Sequence, residues 1–404
     1  MFNLDNQKLW TKDFIIVSSI NFFLTFIFYL LVVIIAVYAV DEYGASTSQA
    51  GLVTGIFIVG TLIGRLFIGR YIDMIGRKKT LFIGLILFTI TTFLYFVHAG
   101  ITFLLINRFI HGITLGIAST ATGTIVAQII PPKRRGEGIG YFSMSATLAT
   151  AIGPFIGLFM SQHTSYQVIF GLCLVIGVIT LLTSLILYVP PIEVQSNQTQ
   201  EKKGFSIANY VEPKALPIAI VTFAISLCYA SVLSFINFYA IEIELVTAAS
   251  FFFLVYSIAI LLSRPFTGRL MDIKGANYVM YPAFILLAIG MFLLSIAHNS
   301  ITLLLSGALI GLGFGNMQSC TQAVAIKLTP AHRMGLATST FYIFLDAGLG
   351  FGPYLLGFLV PITGYSKLYS ILGIVALASI ILYFFMHGKK ESAGRKNQTL
   401  PLSM

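Results

Sequence analysis

Long apolar runs, nearly free of charge and about 20 residues each, alternate along the chain with short polar breaks. A run of that length crosses the hydrocarbon core of a bilayer as a helix. A helix is the expected solution in lipid, because it satisfies its own backbone hydrogen bonds. The short alternating segments of a β-barrel are not seen. The pattern predicts twelve helices, over 14–38, 49–69, 80–98, 101–128, 138–160, 167–189, 215–240, 248–268, 278–297, 300–326, 335–361 and 366–387. Breaks such as "HAG" at 98–100 and "HNS" at 298–300 are so short that sequential helices must be antiparallel neighbours. The longest break, about 190–214, is polar and flanked by prolines, and reads as a flexible linker. The predicted organisation is a six-helix bundle over 1–189, a cytoplasmic linker over 190–214, a second six-helix bundle over 215–388 and a cytoplasmic tail over 389–404.

Composition removes the soluble alternative. The 404 residues are 57% hydrophobic and only 9% charged, too little charge to clothe a soluble surface of this size. The net charge of +10 raises the question of nucleic acid, but its distribution answers it. With both termini in the cytoplasm, all but four of the 24 Lys and Arg residues fall in cytoplasmic segments. The exceptions are Lys367 in an external loop and Arg65, Arg108 and Arg264 inside helices. That asymmetry orients a multi-pass membrane protein with cytoplasmic termini and implies no nucleic-acid partner. External loops gather acid instead, at Asp41, Glu42, Glu242 and Glu244. Cys173, Cys228 and Cys320 are isolated in apolar runs and read as small core residues, with no metal-ligand cluster. The N-terminal stretch lacks the features of a cleaved signal peptide, and with the short loops this points to a plasma membrane.

The chain repeats itself. At an offset of 199 residues, Arg65, Phe67, Gly69, Arg70, Asp73 and Gly76 fall on Arg264, Phe266, Gly268, Arg269, Asp272 and Gly275. Gly112 and Gly116 fall on Gly311 and Gly315, and Pro131, Arg134 and Gly136 on Pro330, Arg333 and Gly335. Gly153 and Pro154 fall on Gly352 and Pro353. An offset of six helices makes the halves parallel, related by an axis along the membrane normal, as in one large class of secondary transporters.

Three segments carry a family resemblance. "GRYIDMIGRKK", with Gly69, Asp73, Gly76, Arg77 and Lys78, resembles the loop 2–3 signature of the major facilitator superfamily. "RFIHGITLG", Arg108 to Gly116, is similar to the helix 4 signature of that superfamily, and "GPFIG", with Gly153, Pro154 and Gly157, to the helix 5 signature of its exporters. The resemblance spans about residues 10–388, and the helix count is similar to the twelve-span drug:proton antiporter branch. The Pro-containing helix 1 motif frequent in that branch is absent from "FYLLVVIIAVYAV". The implied fold is an all-α membrane protein, twelve transmembrane helices in two pseudo-symmetric halves. The resemblance also implies that Asp73 approaches the N-terminus of helix 11 near Gly335, together with a nearby cation, and so latches the two halves. A helix N-terminus favours such a negative charge. The copy at Asp272 lacks the Arg-Lys pair, so the first-half contact is expected to dominate.

Residue chemistry adds candidates. Of the 14 acidic residues, Asp346 alone falls well inside a predicted helix, about 16 Å along helix 11. An intramembrane carboxylate marks a functional site by default, here for a proton or a cationic substrate. Arg108 and His111 share a face of helix 4, where they can modulate a proton step or hold an anionic group. Arg65 and Arg264, about one turn from cytoplasmic helix ends, are expected to snorkel to the interface. The resemblance implies that helices 1, 4, 7 and 10 line a cavity with Asn21, Thr25, Tyr29, Asn237, Tyr239, Asn316 and Gln318. Such a mixed aromatic and polar lining suits amphipathic organic molecules better than bare ions.

The expected function is a proton-coupled exporter of small organic molecules working by alternating access, as a monomer and without a cofactor. An uptake symporter or uniporter of the same fold is the alternative, and a non-transporting receptor or scaffold a more distant one. No nucleotide-binding loop and no nucleophile–base arrangement argue for an ATPase or another enzyme.

Overall fold

The apolar runs fold as helices in the computed structural model, which describes residues 8–191 and 207–392. Among the described residues twelve helices are long and apolar enough to cross a membrane. They are α1 (Lys12–Tyr43), α2 (Thr47–Ile75), α3 (Arg77–Phe96), α4 (Ile101–Ile129), α5 (Arg135–His163) and α6 (Tyr166–Leu185). The second six are α7 (Leu216–Glu242), α8 (Val246–Lys274), α9 (Asn277–Ser295), α10 (Ser300–Lys327), α11 (Met334–Gly357) and α12 (Val360–Ser392). Local chemistry sets several starts: Thr11 accepts from the Phe14 N–H at 3.2 Å, and Ser46 with Gln49 and Asn299 with Thr302 form reciprocal caps.

Two helices overrun their predicted ends at the charged hairpins. The second, expected to stop at 69, runs to Ile75, and the eighth, expected to stop at 268, runs to Lys274. Arg70 and Asp73 therefore ride on the last turns of α2. The stop is Gly76, the single residue between α2 and α3, which reverses the chain at φ 97°. A side chain is strained there, and Gly275 repeats the device at φ 88°. Residues 192–206 of the expected linker and 393–404 of the expected tail lie outside the described residues. The described remainder of the linker has a short helical turn at Ile207–Asn209 and a buried Glu212, with Ala208, Pro213 and Lys214 exposed.

The chain forms two compact units, and neither is continuous in sequence. Unit 1 comprises Met1–Pro131, Ser145–Glu212 and Thr329–Ile343. Unit 2 comprises Pro132–Met144, Pro213–Leu328 and Phe344–Met404. The first turns of α5 thus belong to unit 2 and those of α11 to unit 1.

Within each unit polarity is inverted relative to a soluble protein. Large apolar side chains such as Phe155, Phe266, Ile301 and Ile362 are exposed, whereas Arg108, His111, Thr120, Ser231 and Arg264 are buried. Lipid tails are as apolar as leucine, so packing, not the hydrophobic effect, holds such helices together. α2 and α4 achieve it by backbone contact. A Cβ at Gly112 would overlap the Phe57 carbonyl, one at Gly116 the Thr61 carbonyl, and one at Gly60 the Phe109 carbonyl. In unit 2 a Cβ at Gly311 of α10 would press on the Tyr256 carbonyl of α8, the same pairing displaced by the 199-residue repeat.

Gly112→Val is expected to lower the apparent melting temperature of the detergent-solubilised protein by several degrees, since overpacking typically costs about 1–3 kcal/mol. Gly171→Ala, where a Cβ meets open space, is expected to melt with the parent. Equal melting of all three proteins, followed by tryptophan fluorescence, would show that the glycine contact is dispensable.

Candidate functional site

Helix α2 carries Asp73 to the first turn of α11, inside unit 1. The Gly335 N–H donates to Asp73 Oδ2 at 3.2 Å, and Arg77 Nε donates to Oδ1 at 2.7 Å. Arg77 is buried and uses its fork fully, reaching Gln128 Oε1 at 3.0 Å and the Ala331 carbonyl at 2.6 Å. One guanidinium therefore joins the ends of α2 and α4 to the turn that precedes α11. Gly69 lets the chains close: a Cβ there would overlap Ser339, whose hydroxyl donates to the Arg65 carbonyl at 2.6 Å. Lys78 does not join this group; its ammonium bonds the Leu185 carbonyl at 3.3 Å, at the end of α6. Beside the cluster, Arg333 pairs with Glu212, and the Glu212 N–H donates to Thr340 Oγ1 at 2.8 Å.

Unit 2 holds the repeat of this arrangement. Asp272 accepts from the N–H groups of Gly136 and Glu137, at 2.7 and 2.8 Å, in the first turn of α5. The buried Glu137 carboxylate in turn binds Arg134 at 2.7 Å and Arg269 at 3.4 Å. Asp272 thus makes two short bonds to helix N–H groups where Asp73 makes one. The second copy is the more complete cap, although it lacks the Arg-Lys pair that follows Gly76. A carboxylate bridging two first-turn donors satisfies orphan N–H groups and meets the positive end of the helix.

The α4 candidates form a buried cluster in unit 1. Arg108 is fully buried. It donates to the Val53 carbonyl and to the Tyr95 hydroxyl, both at 3.2 Å, and lies 4.3 Å from the Phe57 ring centre. Tyr95 also meets His111 Nδ1 at 2.9 Å, and Thr92 lies 3.4 Å from His111 Nε2. The tyrosine hydroxyl is thus shared by the arginine and the histidine. Arg108 has no carboxylate at ion-pair distance among the described residues, and its Nη2 has no hydrogen-bond partner among them.

Snorkelling does not describe Arg65 or Arg264. Arg65 is buried over the Tyr342 ring at 4.4 Å. Arg264 is buried with Nη2 on the Gly315 carbonyl at 2.8 Å, while its Nε and Nη1 have no partner among the described residues. Distance from a helix end gave the depth of these side chains but not their direction. Both turn inward, onto neighbouring helices.

Asp346 lies midway along the 24-residue α11, half-buried, in unit 2. The helix 5 motif packs within unit 1. A Cβ at Gly153 would press on Tyr29 and one at Gly157 on the Leu30 carbonyl, both of α1, while Pro154 lies inside α5. Its counterpart Gly352 lies on Ala230 of α7 in unit 2.

The cavity-lining candidates divide. Thr25, Tyr29 and Gln318 are half-buried, and Asn237 is exposed. Asn21 is spent on structure, donating to Ser145 Oγ at 2.9 Å and accepting from Thr122 at 3.3 Å, which ties α1, α4 and α5 together. Asn316 braces a wider helical turn at Gly311–Gly315, donating to the Leu312 carbonyl and Ser263 and accepting from Thr267 at 2.8 Å. Tyr239 is buried, with its hydroxyl on the Ser295 carbonyl at 3.3 Å. Glu137, Glu212, Arg134 and Arg333 were not selected from sequence as site residues. The Arg134–Arg333 coincidence in the repeat was their only signal.

A family model described as Major Facilitator Superfamily matches residues 17–253 and 245–403. An "uncharacterized MFS-type transporter" of Methanocaldococcus jannaschii is 26% identical over 360 residues, 87% of this chain and 92% of the relative. Multidrug resistance protein 1 of Bacillus subtilis is 25% identical over 353 residues, 85% of this chain and 88% of the relative. The structure of the E. coli fucose:proton symporter FucP superposes with a TM-score of 0.73 at 15% identity, over 92% of this chain and 98% of that one. At that identity the likeness bears on the fold alone.

Asp272→Ala removes both acceptors from the first turn of α5 and is expected to cost about 1–2 kcal/mol, the usual value of a lost N-cap. Lys78→Gln, an exposed contact, is expected to cost less than about 0.5 kcal/mol. Denaturant melts of the two variants in detergent, followed by circular dichroism, check the order. A Lys78→Gln loss larger than that of Asp272→Ala would reverse it.

Proposed function

The chain belongs to the major facilitator superfamily, and on that premise we propose that it is a proton-coupled exporter of small amphipathic organic molecules. The observation that carries the reading is the carboxylate of Asp346, set midway along an apolar helix where charge is expensive and a proton can be exchanged. The small-residue packing of α5 on α1 and the name of the Bacillus subtilis relative, a multidrug resistance protein, support export. In this reading Asp346 takes up a proton from outside as substrate leaves, and releases it to the cytoplasm. Arg108 and His111, joined through Tyr95, modulate that step from unit 1. The Asp73 contact on Gly335, held by Arg77, latches one of the two alternating states, and its rupture permits the other. Gly69 and Gly76 allow the close approach, and Lys78 serves chiefly as a topology determinant. Thr25, Tyr29, Asn237 and Gln318 remain the better cavity-lining candidates, because the amide of Asn316 is already engaged. The protein works as a monomer in the cell membrane with both termini in the cytoplasm.

In inverted membrane vesicles with an acidic lumen, ethidium and related amphipathic dyes are expected to accumulate, and a protonophore to abolish the accumulation. Asp346→Asn is expected to reduce gradient-driven accumulation at least tenfold at unchanged expression, with Asp346→Glu retaining part. Gradient-driven accumulation seen only in right-side-out vesicles would favour an uptake symporter. Full activity of Asp346→Asn would remove the acid from the mechanism.

A further inference from the structure

We propose that unit 2 carries a binding site for the headgroup of an anionic phospholipid, away from the residues assigned to transport. A cavity of about 560 Å³ opens at the basic ends of α7, α10 and α12. Three ammonium groups line it: Lys214 just before α7, Lys327 at the end of α10 and Lys390 on α12. Lys327 and Lys390 make no hydrogen bond or ion pair among the described residues. The one carboxylate on the wall, Glu391, is occupied elsewhere. Its oxygens accept from the Ala276 and Asn277 N–H groups at 2.7 and 3.0 Å, at the start of α9, and His387 lies 3.6 Å from it. Lys327, which also feels the Asp272 carboxylate, and Lys390 therefore present positive charge to the cavity, and their mutual repulsion is relieved by a bound anion.

The rest of the lining selects a lipid over a free anion. Ile218, Met271, Val324 and Met386 are apolar side chains lining the same cavity as the lysines. The α12 turn that supplies Met386 and His387 also presents Ile381, Phe384 and Phe385 as exposed apolar side chains, the lipid face of a spanning helix. Lysines and apolar side chains sharing one cavity, at the basic end of membrane helices, match a phosphate headgroup with its glycerol and chain roots. A bare phosphate fills little of such a volume, given that a water takes about 30 Å³.

Full-length protein, delipidated in detergent, is titrated with phosphatidylglycerol and with phosphatidylcholine of the same chains, and the complexes are counted by native mass spectrometry. One phosphatidylglycerol is expected to bind in preference to phosphatidylcholine and to resist millimolar inorganic phosphate. Each lysine near an anionic headgroup contributes roughly a factor of five, so Lys327→Gln/Lys390→Gln is expected to weaken binding about thirtyfold. Lys79→Gln/Lys133→Gln, basic residues outside the cavity, is expected to leave it unchanged. The substituted lysines are exposed, and a melting scan verifies that both double variants fold. The proposal is overturned by equal retention of the two lipids, by no retained lipid, by equal losses in the two variants, or by displacement of the lipid by phosphate.

Discussion

Helix backbones in this protein touch one another directly at glycines, and its other contacts follow from that closeness. In hydrocarbon there is no hydrophobic force to press helices together, so their association rests on how near the backbones can come. Gly60, Gly112 and Gly116 bring α2 and α4 to carbonyl contact, and Gly311 does the same for α8 and α10. With α2 and α4 fixed in this way, Arg108 of α4 reaches the Val53 carbonyl of α2 and the hydroxyl of Tyr95. The same approach sets the direction of α2 and hence where its last turn delivers Asp73.

Helix ends pose a second problem, since first-turn N–H groups have no intrahelical partner. The basic ends of this protein meet it with carboxylates drawn from distant sequence. Asp73 serves α11, Asp272 serves α5 and Glu391 serves α9. Each bond pins one helix to another by charge and dipole together. The first two are related by the repeat, yet their supports differ. Arg77 buttresses Asp73 within unit 1, whereas in unit 2 Glu137 collects Arg134 and Arg269 next to Asp272. A transporter of this family changes conformation as it works, and contacts of this kind release less free energy than a packed core.

The buried guanidinium groups are held in two ways. Arg77 spends its donors on three acceptors. Arg108 and Arg264 keep unpartnered donors among the described residues and lack a carboxylate there. A guanidinium cannot readily discharge itself, so its place inside a bundle is maintained by carbonyl oxygens and ring faces. Asp346, half-buried midway along α11, belongs to the other compact unit.

The twelve spans, the repeat at 199 residues and the family were legible in the amino-acid sequence, whereas the stops at Gly76 and Gly275 lay one to two turns beyond the helix ends expected from it. The spans, the repeat and the family follow from hydrophobic length and motif spacing, both of which are local. Tertiary structure decided which way each polar side chain points. Arg65 and Arg264 turn inward although their depth allowed them to reach the interface, and Asn21, Tyr239 and Asn316 are bonded to neighbouring helices. It also decided that Asp272 takes two helix N–H groups, and that Lys78 stands apart from Asp73 and Arg77. The physical reason is that a nearly all-apolar helix has no polar stripe to declare its inner face, so its rotation is fixed only by the partner it packs against.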